Sequence, residues 1–227
     1  MIDVLWLVLA LTLAPIIVSI AATAIFIRYP DNPLSVILFS VGLTLLVSLF
    51  DILTDRPILT SQGFKDMTGN IFQASSAMLG ILGAFLVYHI NSISNNLWQV
   101  RKDLMEISPK TDMYDIFAPD SEFQEEAKQY VTLPGRPSER QKAIEYHYRT
   151  AIRLISELEA VKAITANQFT ILFMVLLLSM PLILYSDSLD VTKIHIKLIA
   201  YFTLTFSAAA FTSAIYGVYR IIYPETQ

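Results

Sequence analysis

The chain of 227 residues is 54% hydrophobic, with 16 Lys and Arg against 20 Asp and Glu and no cysteine. Without thiols it has no disulfide, thiolate metal site or cysteine nucleophile, and its slight acidic excess speaks against a general nucleic-acid-binding surface. Five long apolar runs around one charged insert predict an all-α integral membrane protein with about five transmembrane helices and a cytoplasmic helical hairpin extending from helices 3 and 4.

The first run, Val4 to Ile27, lacks a basic n-region and a small-residue cleavage site, so it reads as a permanent span, kinked at Pro15. The second, Leu34 to Leu53, carries Ser40, Thr44, Ser48 and Asp51 at spacings of four, four and three, a polar line that ends on a carboxylate. Such a line fits an ion pathway, and it equally fits a helix contact in which hydroxyls bond back to their own carbonyls. These four residues are the pore-lining candidates.

The third run, Ile71 to Ile90, has a small-residue ridge of Ser76, Gly80 and Ala84 that favours close helix packing over pore lining, with Asn70 and Gln73 expected to cap its outer end. Beyond it Ile93, Leu97, Val100, Leu104 and Ile107 recur every four and three residues, and no helix breaker intervenes before Ser108-Pro109. A stalk rising about 25 Å is expected. An acidic arm follows, with Asp112, Asp115, Asp120, Glu122, Glu125 and Glu126 uninterrupted by Lys or Arg, and with Ile116, Phe117, Phe123, Tyr130 and Leu133 as apolar cover. Pro137-Ser138 opens the return helix, in which Ile144, Tyr148, Ala151, Ile155 and Leu158 repeat the stalk's spacing. Lys142, Arg149 and Arg153 share one face of that helix and are candidates for a latch that clasps the arm, or that a ligand or partner releases; a solvated face with weak ion pairs is the plainer reading.

The fourth run, Phe169 to Tyr185, is short, contains Pro181 and is expected to borrow a turn from Ala163 to Gln168. The fifth, Ile196 to Ile222, carries a second small-residue ridge of Ala209, Ser213 and Gly217. The organisation expected is membrane helices 1 to 3 in residues 1–90, the hairpin and its arm in 91–165, and helices 4 and 5 with a short tail in 166–227. Ten of the sixteen Lys and Arg fall between Asn91 and Thr165, which places that segment and the C-terminus in the cytoplasm and the N-terminus outside, in a plasma or inner membrane.

His89, His147 and His195 are too scattered to make one metal site, and no zinc spacing, EF-hand loop, P-loop or dinucleotide fingerprint occurs. No metal, no cofactor and no enzyme activity is expected. Arg140 and His147, seven residues apart with polar Gln141 after the Arg, are similar in spacing to the ribonuclease motif of helical HEPN domains. That resemblance implies a minor alternative, RNA cleavage at a cleft between paired subunits, against a solvated helix face. The leading expectation is a homo-oligomeric channel or pore in the lipid bilayer, gated through the hairpin, because a small chain builds a polar path most easily around a symmetry axis. The alternative is a membrane sensor or anchoring subunit that binds a soluble protein partner through the hairpin, in a stress or antiviral-defence setting.

Overall fold

Capping residues and prolines set the helix boundaries. The computed structural model describes residues 2–54, 60–107, 119–131, 138–190 and 192–223, with side chains from Leu13 onward. Its regular elements are all helices: α1 (Ile2–Arg28), α2 (Pro33–Thr54), α3 (Ser61–Ile107), α4 (Asp120–Val131), α5 (Glu139–Leu184) and α6 (Ile194–Ile222). Asn32 caps α2 by accepting from the Leu34 N–H at 2.9 Å, and Pro33 occupies the first helical position, where its missing N–H costs nothing. Ser138 and Gln141 form a capping box at the start of α5: the Ser138 hydroxyl accepts from the Gln141 N–H at 3.3 Å and the Gln141 carboxamide accepts from the Ser138 N–H at 2.7 Å.

One expectation is revised. Helix α3 begins at Ser61, ten residues before the apolar run, because the Thr60 hydroxyl accepts from the Gly63 N–H at 3.1 Å. Asn70 and Gln73 are therefore helix-interior residues, not caps. Four helices among the described residues, α2, α3, α5 and α6, are long and apolar enough to cross a membrane, against five apolar runs in the sequence.

The chain divides into two compact units, one of Met1–Gly83 with Ile164–Gln227 and one of Ala84–Ala163, and α3 and α5 contribute to both. In the first unit α2 packs on α1 and on α6. The α1/α2 approach is close because residue 42 is glycine: a Cβ there would lie 3.0 Å from the Ser19 Cα and 3.2 Å from the Ala22 Cβ. The Ser19 hydroxyl reaches both the Gly42 carbonyl (2.5 Å) and the Pro15 carbonyl (2.7 Å). Phe26 stacks on Phe39 near the turn between these helices. Elsewhere in this unit Phe64, Leu182 and Ala200 form an apolar cluster with Met67, Leu189 and Ile196 against it.

In the second unit the two stripes are buried: Ile93, Leu97 and Leu104 from α3, and Ile144, Tyr148, Ala151, Ile155 and Leu158 from α5. Val100 and Ile107 are half-buried. Helix α4 adds Phe123 and Ala127, also buried. Ile116, Phe117 and Leu133 of the expected cover lie outside the described residues.

Candidate functional site

The polar line of α2 faces α6. Ser40 is fully buried, and its hydroxyl donates to the Val36 carbonyl at 2.6 Å. The Thr44 hydroxyl lies 2.7 Å from the Ser40 carbonyl and 2.8 Å from the Thr205 hydroxyl, which itself reaches the Ser40 carbonyl at 3.2 Å. Two turns on, Asp51 pairs with Lys197 at 2.8 Å, with side-chain exposures of 8% and 22%. The Tyr201 hydroxyl is buried beside the same carboxylate. Only Ser48, whose hydroxyl is buried, has no hydrogen-bond partner among the described residues. Ser40, Thr44 and Asp51 are thus brought together against one helix of the same chain. The sequence pattern singles out neither Lys197 nor Thr205. In an antiparallel pair the partner's number falls as the first rises, so Thr44 with Thr205 and Asp51 with Lys197 share one register.

The two small-residue ridges differ. On α6, Ala209, Ser213 and Gly217 are buried; Ser213 bonds the buried Gln168 carboxamide at 3.2 Å, and a Cβ at Gly217 would stand 3.0 Å from that side chain. On α3, Ser76, Gly80 and Ala84 are exposed, as are Asn70 and Gln73. A Cβ at Gly80 would meet nothing within 4 Å.

In the second unit Arg101 is the buried cation, 5% exposed. It pairs with Asp120 of α4 at 2.8 Å and lies over the Phe123 ring, 4.3 Å from its centroid. Burial lowers its pKa from the ordinary value and Asp120 partly restores it; a guanidinium remains charged regardless. The Tyr148 hydroxyl donates to Glu126 at 3.2 Å, and Tyr130 packs on the Tyr148 ring. Helix α4 is therefore held through Arg101. Its position, four residues after Leu97 and three before Leu104, was the available signal. Of the latch candidates, Lys142 pairs with Glu139 and Arg149 with Glu145 on their own helix, while Arg153 is exposed. Asp112 and Asp115 lie outside the described residues.

Arg140 donates through Nε to the Ile107 carbonyl at 2.9 Å, closing the last turn of α3. The His147 Nδ1 is buried without a hydrogen-bond partner among the described residues, and its ring meets Tyr146 edge-on. His89 Nε2 stands 4.0 Å from Glu157. Among the described residues no three His, Asp or Glu are grouped to hold a metal ion. Comparison with protein families, curated proteins and solved structures finds no match.

Proposed function

We propose that this chain is a homo-oligomeric membrane channel whose subunits assemble around α3, with five spans, the N-terminus outside, and the C-terminus and residues 91–165 in the cytoplasm. One observation carries the reading: Asn70, Gln73, Ser76 and Gly80 form an exposed polar and small-residue face on a helix apolar enough to cross a membrane. Amides facing hydrocarbon are costly, whereas a neighbouring subunit or a water-filled path satisfies them. The α2 line is the weaker pore candidate, because Thr44 and Asp51 already have partners on α6. Clustering of positive charge between Asn91 and Thr165 supports the orientation.

Ion flux into liposomes holding the purified chain tests this reading. Flux from the full chain, reduced sharply by Gln73→Leu and altered by removing residues 108–136, is the expected result. No flux with or without that segment overturns the channel and leaves the sensor or anchoring subunit. That second reading draws on one observation of its own, the attachment of α4 through Arg101, Asp120 and Phe123, which a soluble partner could displace.

A further inference from the structure

The polar pairs between α2 and α6 follow one antiparallel ladder. Thr44 meets Thr205 at 2.8 Å and Asp51 meets Lys197 at 2.8 Å. Four residues on from Thr44 and four back from Thr205, the same register sets Ser48 opposite Tyr201. This middle rung is not closed. The Ser48 hydroxyl is buried and, unlike those of Ser40 and Thr44, does not return to the carbonyl four residues back. Tyr201 is 2% exposed, and its hydroxyl stands beside the Asp51 carboxylate outside hydrogen-bond geometry. Among the described residues neither hydroxyl has a hydrogen-bond partner. Burying a hydroxyl in that state is costly, and two on facing positions, one turn from a carboxylate, suit a group that both can bind.

We propose that Asp51, Ser48 and Tyr201 form a binding site for a small monovalent metal cation, with the Lys197 ammonium as a tethered competitor. The site goes beyond the channel reading and needs no second copy of the chain. Its donors are a carboxylate and two hydroxyl oxygens, the ligand type of hard cations, and one carboxylate balances one positive charge. Lys197 already shows that this carboxylate holds a cation. An ammonium on a flexible four-carbon stem can swing toward solvent while the stem stays on apolar surface. The exposures name the partner that moves, since the Asp51 side chain is 8% exposed and that of Lys197 22%. Asp51 lies in the last turn of α2 and Lys197 in the first turn of α6, so the exchange takes place at the helix ends, where water completes the ion's shell. Asp51 stays compensated throughout, because the ion takes over the charge that Lys197 withdraws.

Sodium chloride and potassium chloride are the probes, with choline chloride at equal ionic strength as the control for screening. Amine acylation of the full-length wild-type chain in detergent, read by mass spectrometry, reports the release of Lys197, and the exposed Lys193 is the internal standard. Labelling of Lys197 relative to Lys193 is expected to rise about threefold in sodium or potassium over choline, as the ion fills the site by mass action. Asp51→Asn should label at the higher level in every salt. The double variant Ser48→Ala/Tyr201→Phe, which keeps the ion pair and lacks both hydroxyls, is expected to lose the response. Equal labelling of the wild type in all three salts, or a response that survives in the double variant, overturns the site. Thermal unfolding of Lys197→Met gives a second reading: its melting temperature should rise by about 4 °C in sodium or potassium over choline at tenfold excess over Kd, and not at all once Asp51→Asn is added. No rise in Lys197→Met also overturns the site, and if that variant fails to fold in every salt the wild-type labelling decides alone.

Discussion

In the unit built around α1, α2 and α6, side-chain hydroxyls mostly return to the carbonyl four residues back, as at Ser40, Thr44, Ser75, Thr203 and Ser207. Among the described residues, the polar groups that cross between its helices include Ser19 to Gly42, Thr44 to Thr205, Gln168 to Ser213 and Asp51 to Lys197, while Arg220 of α6 reaches Asp31 in the turn after α1. The unit Ala84–Ala163 buries an arginine and arranges an acid and an aromatic ring around it. On the membrane placement proposed above, the contrast follows from solvent. In hydrocarbon a polar group needs an internal partner at once, and the nearest is its own helix. Beside water, a long cation can stay partly hydrated at its rim and still pin a short helix in place.

Four experiments would break or sharpen that contrast. The largest effect is expected at the crossing charge pair: Lys197→Met removes the counterion of the buried Asp51 and should destabilise the chain in detergent by about 3 kcal/mol, with Asp51→Asn in the same chain recovering most of the loss. Thermal unfolding of the two single variants and the double variant measures it, and a neutral Lys197→Met would show that this unit tolerates a lone charge. Next, Arg101→Leu should cost about 2 kcal/mol and hasten proteolysis within Asp120–Val131, with Arg101→Lys recovering little because the lysine lacks the planar group that lies on Phe123. If cleavage is unchanged, α4 is held by its apolar face alone.

Gly42→Val tests the close approach and should cost about 1.5 kcal/mol, since the backbone of Ser19 stands where the new atoms would go. Gly80→Val, in open space within the subunit, should leave the melting temperature unchanged in a detergent that dissociates the chain to monomers. The smallest effect concerns pH. Asp190, in the turn before α6, accepts from the Thr192 N–H and hydroxyl, which hold its carboxyl below the usual value. A depressed folded-state pKa stabilises above the unfolded value of about 4 and loses that contribution as pH falls through the folded value. The melting temperature of the wild type should exceed that of Thr192→Val at pH 5 and converge with it toward pH 3.

Much of the helical plan is legible because burial on a helix repeats in sequence. Spacings of four and three pick out Ile93, Leu97 and Leu104 without knowledge of what covers them. The start of α3 was missed because a polar capped turn, Thr60 to Asn70, continues a helix that hydropathy alone begins later. Partners were the least legible. Asp51 and Lys197 are 146 residues apart, and nothing local to either one names the other. Arg101 was overlooked for the opposite reason: it sits within the apolar stripe, where a search for hydrophobic residues passes over a cation whose stem and ring contacts make it part of the core.

Three contacts on α2 have a consequence for chain length. Gly42 fits α1, and Thr44 and Asp51 meet α6. One residue inserted between Thr44 and Asp51 would advance the acid by about 1.5 Å and swing it about 100° around the helix, away from Lys197. A deletion would swing it as far the other way. The stretch from Gly42 to Asp51 is thus a fixed ruler, and insertions or deletions there should be far less tolerated than in the segment that follows Thr54.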